Sequence, residues 1–154
     1  MPNWTSNELS ITGSITEIKK FKKQASSIKD DGYNCYKEFS LQAFVPMPEE
    51  LKGTSSPQDE KLGKETWYTW CNREWSVKWD VSDEYLAVDK PDHLEYVFQS
   101  PWCPPMNALI KISKLYPSVE LSLKWIDEDD QFNVNEVTMI NGKEKESGLE
   151  VETI

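Results

Sequence analysis

Residues 94–125, LEYVFQSPWCPPMNALIKISKLYPSVELSLKW, carry the pattern that decides the fold. Leu94, Tyr96 and Phe98 recur at period two, the mark of a strand with one apolar face. Pro104 and Pro105 then introduce a helix bearing Met106, Leu109, Ile110 and Leu115, which Pro117 stops. Val119, Leu121, Leu123 and Trp125 alternate again as a strand. A strand, a helix and a second strand in this order form half of a layered α+β domain.

The N-terminal region supplies a matching half. Leu9 and Ile11 alternate with Glu8, Ser10 and Thr12 ahead of Gly13, as in a short strand. Ser14 and Glu17 have the spacing of a capping box, and Ile15, Ile18, Phe21 and Ala25 follow at helical intervals. Phe39, Leu41, Ala43 and Val45 alternate with Ser40 and Gln42, which predicts a second strand ended by Pro46 and Pro48. Residues 52–65, KGTSSPQDEKLGKE, are polar and turn-rich and read as an exposed loop. Residues 66–90 read as an inserted tryptophan-rich helix and its connection. At the far end, VTMI, Asn141-Gly142 and KEKE predict a strand entering a type I′ hairpin turn.

With the insertion set aside, the order is βαββαβ. The expected fold is therefore α+β and ferredoxin-like, in a single domain over residues 1–154, with helices on one face of an antiparallel sheet. An acidic hairpin and tail over 127–154 extend that sheet. Many unrelated functions use this fold, so it says little about this one.

Composition narrows the classes. The chain has 154 residues, 38% hydrophobic and 29% charged, with no apolar run near the length that spans a bilayer. Its start, MPNWTSNELS, lacks the basic and apolar regions of a signal peptide, so a cytoplasmic setting is expected. Three widely spaced cysteines (Cys35, Cys71, Cys103) suit neither a disulfide framework nor a zinc site. A net charge of -10 argues against direct binding of nucleic acid. Most of that charge lies in residues 117–154, where ten acids face three lysines.

In several blocks the sequence resembles the YubB ferredoxin-like family of small proteins borne by plasmids and phages. The blocks are MPNWTSN, LSITG, FVPMPEEL, WCNREWSVKWD and FQSPWCPP, in the same order. The resemblance implies a ferredoxin-like fold and a mobile-element setting, with no general activity to carry over. Ser76 and Val77 stand where that family usually has Gly and Thr. This departure removes the glycine on which a tight turn between Trp75 and Lys78 would depend.

The stretch WYTWCNREWSVKWD, residues 67–80, holds four of the seven tryptophans. On one continuous helix, Trp67, Trp70, Trp75 and Trp79 would span an arc too wide for a simple core stripe, with Glu74 and Lys78 among them. Two readings stay open: all four indoles are core, or Trp67 and Trp70 are core while Trp75, Lys78 and Trp79 line a cleft. Trp4 and Trp102 are the other unusual placements. Pro104 stiffens the chain beside Trp102, and the amides of Asn3 and Asn7 offer paired donors and acceptors. Alternatively, Asn7 caps a turn and Trp102 closes the bottom of the core.

No catalytic constellation emerges. His93 is the lone histidine, so no His pair can bind a metal, and no nucleophile elbow or phosphate loop appears. Asp80, Asp83 and Glu84 are spaced for a hydrolytic metal site but equally for a solvated turn, and DEDD at 127–130 reads as a charged hairpin loop. The expectation is a protein with no enzymatic activity, metal or cofactor: a phage or plasmid accessory that counters host defence. It is expected to sequester a small nucleotide-like ligand. Trp75, Trp79 and Trp102 stack on its rings, Lys78 and Arg73 meet its phosphate, and Asn3 and Asn7 read its polar edge. Trp4, Asp80 and Pro104 complete the candidate set. The alternative partner is a host protein, met by an acidic surface that imitates nucleic acid.

Overall fold

A computed structural model describes residues 3–28 and 37–145. Cys35 and the acids Glu146, Glu150 and Glu152 lie outside these residues. The chain begins with β1 (Trp4–Thr12) and α1 (Ile15–Ala25), then runs through short helices α2 (Leu41–Phe44) and α3 (Gln58–Lys61) to α4 (Trp67–Glu74). There follow β2 (Ser82–Lys90), β3 (His93–Pro101), α5 (Met106–Leu115), β4 (Glu120–Asp127), β5 (Asp130–Ile140) and β6 (Lys143–Glu144). The six strands form one antiparallel sheet in the order β2-β3-β1-β4-β5-β6. The first four positions are the split βαββαβ arrangement, and β5 and β6 extend it.

Two expected assignments change. Residues 39–45 are not a strand: Leu41–Phe44 is a helical turn, with Phe39, Leu41 and Phe44 buried. The second strand lies instead within 66–90, at Ser82–Lys90, so that segment is a helix, a turn and a sheet edge rather than a helix and connection. The loop 52–65 also contains the single turn of α3. No helix of the described residues is long and apolar enough to cross a membrane.

Burial alternates along β1, and along β3 as far as Ser100, so one face of the sheet is core and the other is open. Leu9, Ile11, Leu94, Tyr96, Phe98, Leu121 and Leu123 meet Ile18 and Phe21 of α1 and Leu109 and Ile112 of α5 in one continuous core. Ser14 caps α1, accepting the Glu17 N–H at 3.2 Å. Asn141 and Gly142 have φ of 52° and 75°, the two left-handed residues that a type I′ hairpin requires.

Candidate binding groove

Thr66 and Thr69 start α4 with a reciprocal capping box. The Thr66 hydroxyl accepts the Thr69 N–H, and the Thr69 hydroxyl accepts the Thr66 N–H. The helix stops at Glu74, which resolves the arc of indoles, because Lys78 and Trp79 no longer follow helical geometry. Ser76 reverses the chain with φ of 71°, keeping the left-handed turn without the glycine. Its hydroxyl accepts the Asn107 N–H at 3.0 Å, which helps hold a residue other than glycine in that conformation. Val77 and Val81 then plug into the core, and Lys78 and Trp79 between them face outward.

Trp75, expected at the cleft, is mainly core. Only 3% of it is exposed, its ring packs edge-on against Trp70 at 5.3 Å, and its indole N–H donates to the Val45 carbonyl at 2.9 Å. That satisfied donor is what allows a tryptophan to be buried here. Trp67, expected in the core, is half-buried: it packs against the core and also borders the groove.

Asp80 is also structural. Its carboxylate accepts the Ser40 hydroxyl at 2.7 Å and the Leu41, Gln42 and Val81 N–H groups at 2.8, 3.2 and 2.7 Å. It thus clamps the start of α2 to the turn before β2 and leaves little capacity for a ligand. Burial pushes the neighbouring Cys71 thiol up to about 11, and the Asp80 charge adds to the shift.

Around this clamp lies an open groove of about 540 Å³. Trp67, Met47, Cys71 and the edge of Trp75 form its apolar wall. Trp79 closes one side, and Ser40 and Gln42 supply polar groups. Three lysines, Lys37, Lys52 and Lys78, line it against the single carboxylate of Asp80. Lys37 donates to the Val81 carbonyl and Lys52 pairs with the exposed Glu49. Lys78 has no carboxylate partner among the described residues; its ammonium lies 4.5 Å from the Trp79 ring centroid and 5.8 Å from that of Trp102.

Trp4, Trp79 and Trp102 gather with Lys78 at this end of the sheet. The Trp4 and Trp79 rings are 6.2 Å apart, and the Trp102 N–H donates to the Asn3 carbonyl at 2.8 Å. Trp102 holds φ of 71° and is 54% exposed, so it does not close the core. Asn3 therefore acts here through its backbone.

Three expected site residues lie elsewhere. Asn7 is fully buried, and its amide nitrogen donates to the Thr5 and Phe98 carbonyls and the Ser100 hydroxyl. Its parity with Leu9 and Ile11 already placed it on the core face. Arg73 pairs with Glu65 at 2.5 Å and Glu74 at 3.0 Å, away from the groove. Hydrogen bonds from Lys111 and then Arg73 hold the Glu74 carboxyl below its usual range. Pro104 is buried, with its carbonyl accepting the Met106 N–H. Lys37, Lys52, Met47 and Gln42 had no local signal. Gln42 lies in the stretch whose alternation imitates a strand, and Lys37, Met47 and Lys52 flank it.

The described residues contain no group of three or more His, Cys, Asp or Glu side chains placed to hold a metal. The fold and groove define an α+β ferredoxin-like domain with a lysine- and indole-lined cleft between the segment around α2 and the segment of α4 and its following turn. The chain belongs to the family of the ferredoxin-like domain in Api92-like protein, whose family model matches residues 74–153. That segment contains Lys78, Trp79 and Trp102, whereas the wall from Lys37 to Trp67 precedes it. Among solved structures, the chain is similar to the crystal structure of a protein api92 from Yersinia pseudotuberculosis, with a TM-score of 0.68. The match covers 96% of this chain and 99% of that one at 9% identity, a likeness of fold alone. None of the curated proteins matches.

Proposed function

We propose that the domain binds and sequesters a small anionic aromatic molecule of nucleotide type in the groove, without chemically transforming it. The observation that carries this reading is the concentration of Lys37, Lys52 and Lys78 beside indole faces, in a chain whose net charge is -10. Against that background, three lysines at one concavity create a local site for phosphate. A half-exposed indole offers a stacking surface for a base, and a volume of about 540 Å³ lies within the usual range of small-molecule sites. The reading also assigns Trp102 to the mouth of the groove, with Asn3 positioning it.

The resemblance to the YubB family motivates a setting on a plasmid or phage and a ligand drawn from host nucleotide signalling. Tryptophan fluorescence and calorimetric titration with nucleoside triphosphates and cyclic dinucleotides test the proposal. The expected result is saturable quenching by at least one of them, weakened at least tenfold in Lys78→Ala. Absence of saturable binding up to millimolar concentrations, or an unchanged affinity in Lys78→Ala, counts against it.

A second reading, capture of a basic host protein, is favoured by one specific feature. Phe132 on β5 is 98% exposed and Val134 61%, directly beyond the acids Asp127–Asp130. A large apolar side chain among exposed acids suits a protein interface more than open solvent.

A further inference from the structure

A second concavity, of about 450 Å³, lies on the open face of the sheet. Trp4 and Ser6 of β1, Gln99 of β3 and Ile126 of β4 form its floor, and Glu128 and Gln131 of the β4–β5 hairpin rise beside them. Asp127 lies at its edge. No lysine or arginine lines it.

Its polar groups are biased toward acceptors. Glu128 Oε2 accepts the Trp4 backbone N–H at 2.7 Å, which ties the hairpin to the start of β1 and leaves Oε1 without a partner among the described residues. Asp127 Oδ1 accepts the Thr5 hydroxyl at 3.1 Å, and Oδ2 is likewise unpartnered there. Gln131 uses its amide nitrogen on the Glu128 carbonyl at 3.3 Å, which leaves its amide oxygen as an acceptor. Ser6 and Gln99 hydrogen-bond to each other across the floor.

An indole beside carboxylate and amide oxygens is the chemistry that recognises a guanidinium. That group is planar and weakly hydrated, stacks on aromatic faces, and presents a fork of N–H donors that fits carboxylates. An ammonium is compact and strongly hydrated, and gains less from a half-open indole wall. We propose that this niche binds the side chain of an arginine presented by a basic peptide segment. The site is separate from the lysine-lined groove and opposite to it in charge. Trp4 lines the niche and its ring neighbour Trp79 lines the groove, so the two sites meet at one indole pair.

The test titrates the protein with a blocked five-residue peptide carrying one central arginine. Matched peptides carry citrulline, which keeps the shape and loses the charge, or lysine. The arginine peptide is expected to bind saturably in the millimolar range or tighter, the lysine peptide several times more weakly, and the citrulline peptide at least ten times more weakly. Trp4→Ala, Glu128→Gln and Gln131→Lys should each weaken the arginine peptide at least fivefold. Gln131→Lys alters an exposed side chain, so it keeps the test open if Trp4→Ala fails to fold. Glu136→Gln, which removes the same charge from β5 outside the niche, should stay within twofold of the unaltered protein. So should Lys78→Ala, which separates this site from the groove. Equal binding of the citrulline peptide, or equal losses in Glu128→Gln and Glu136→Gln, overturns the proposal.

Discussion

Lys78 holds its ammonium 4.5 Å from the centre of the Trp79 ring, and the two residues are carried outward between Val77 and Val81, each 1% exposed. The backbone is anchored on both sides of a pair that itself remains accessible. This arrangement sets buried anchors and an accessible pair within five consecutive positions.

Trp75 and Trp79 should therefore respond in opposite ways. Trp75→Ala opens a cavity and leaves the Val45 carbonyl without its donor, and should destabilise by about 3 to 5 kcal/mol. Trp79→Ala should cost about 1 kcal/mol or less in thermal melts but weaken nucleotide binding by about 1 to 3 kcal/mol, the worth of one stacked base. Comparable melting losses in both variants would show that Trp79 is core.

Asp80 should behave as a structural clamp. In Asp80→Asn one amide nitrogen must face N–H or O–H donors that the carboxylate now satisfies. The expected loss is about 2 to 3 kcal/mol by chemical denaturation. An Asp80→Asn protein that melts normally yet loses ligand would return Asp80 to the binding site.

Ser76 combines backbone strain with a compensating hydrogen bond. Ser76→Ala keeps φ near 71° but loses the bond to the Asn107 N–H, and should destabilise by about 1 kcal/mol. Ser76→Gly loses the same bond but relieves the strain, and should stay within about 0.5 kcal/mol of the starting protein. Denaturation midpoints that rank alanine above glycine would contradict this account.

The buried thiol gives an alkaline signature. Burial raises Cys71 from its ordinary 9.0 to about 11, so the folded state holds this proton more tightly than the unfolded state. Its contribution to stability is present below pH 9 and is lost as pH rises from about 9 through 11. Cys103 is shifted in the same direction, by burial and then Asp127. Denaturation midpoints measured from pH 8 to 11 should fall less steeply in Cys71→Ala. Identical slopes for the two proteins would show that Cys71 does not carry this dependence.

The readable elements are those whose own residues carry a repeating or local physical signal. The period-two apolar positions of β3 and β4, the proline-bounded helix between them, the Ser14 cap and the Asn141-Gly142 turn need only neighbours a few places away. The misread elements owe their form to distant groups. Residues 39–45 alternate like a strand, but the Asp80 carboxylate captures the N–H groups of Leu41 and Gln42 from about forty positions away and stabilises the start of a helical turn. Strand β2 was hidden because it is an edge strand with no buried residue: its less exposed positions are Ser82, Glu84, Leu86 and Val88, so polar and apolar residues share that side. Without an apolar residue at every second place, the period-two signal by which a strand is recognised is weak.

The same distinction applies to the sites. By itself the sequence determined that large indoles and a lysine cluster in residues 67–80, and that acids crowd the C-terminal hairpin. Only the tertiary structure decided which indoles are buried, that Lys37 and Lys52 join Lys78, and that Arg73 and Pro104 lie away from the groove. Spacing along a chain reports the face of one helix or strand. Which faces meet depends on how separate segments satisfy their buried donors and apolar surface together, and that is a property of the packed chain.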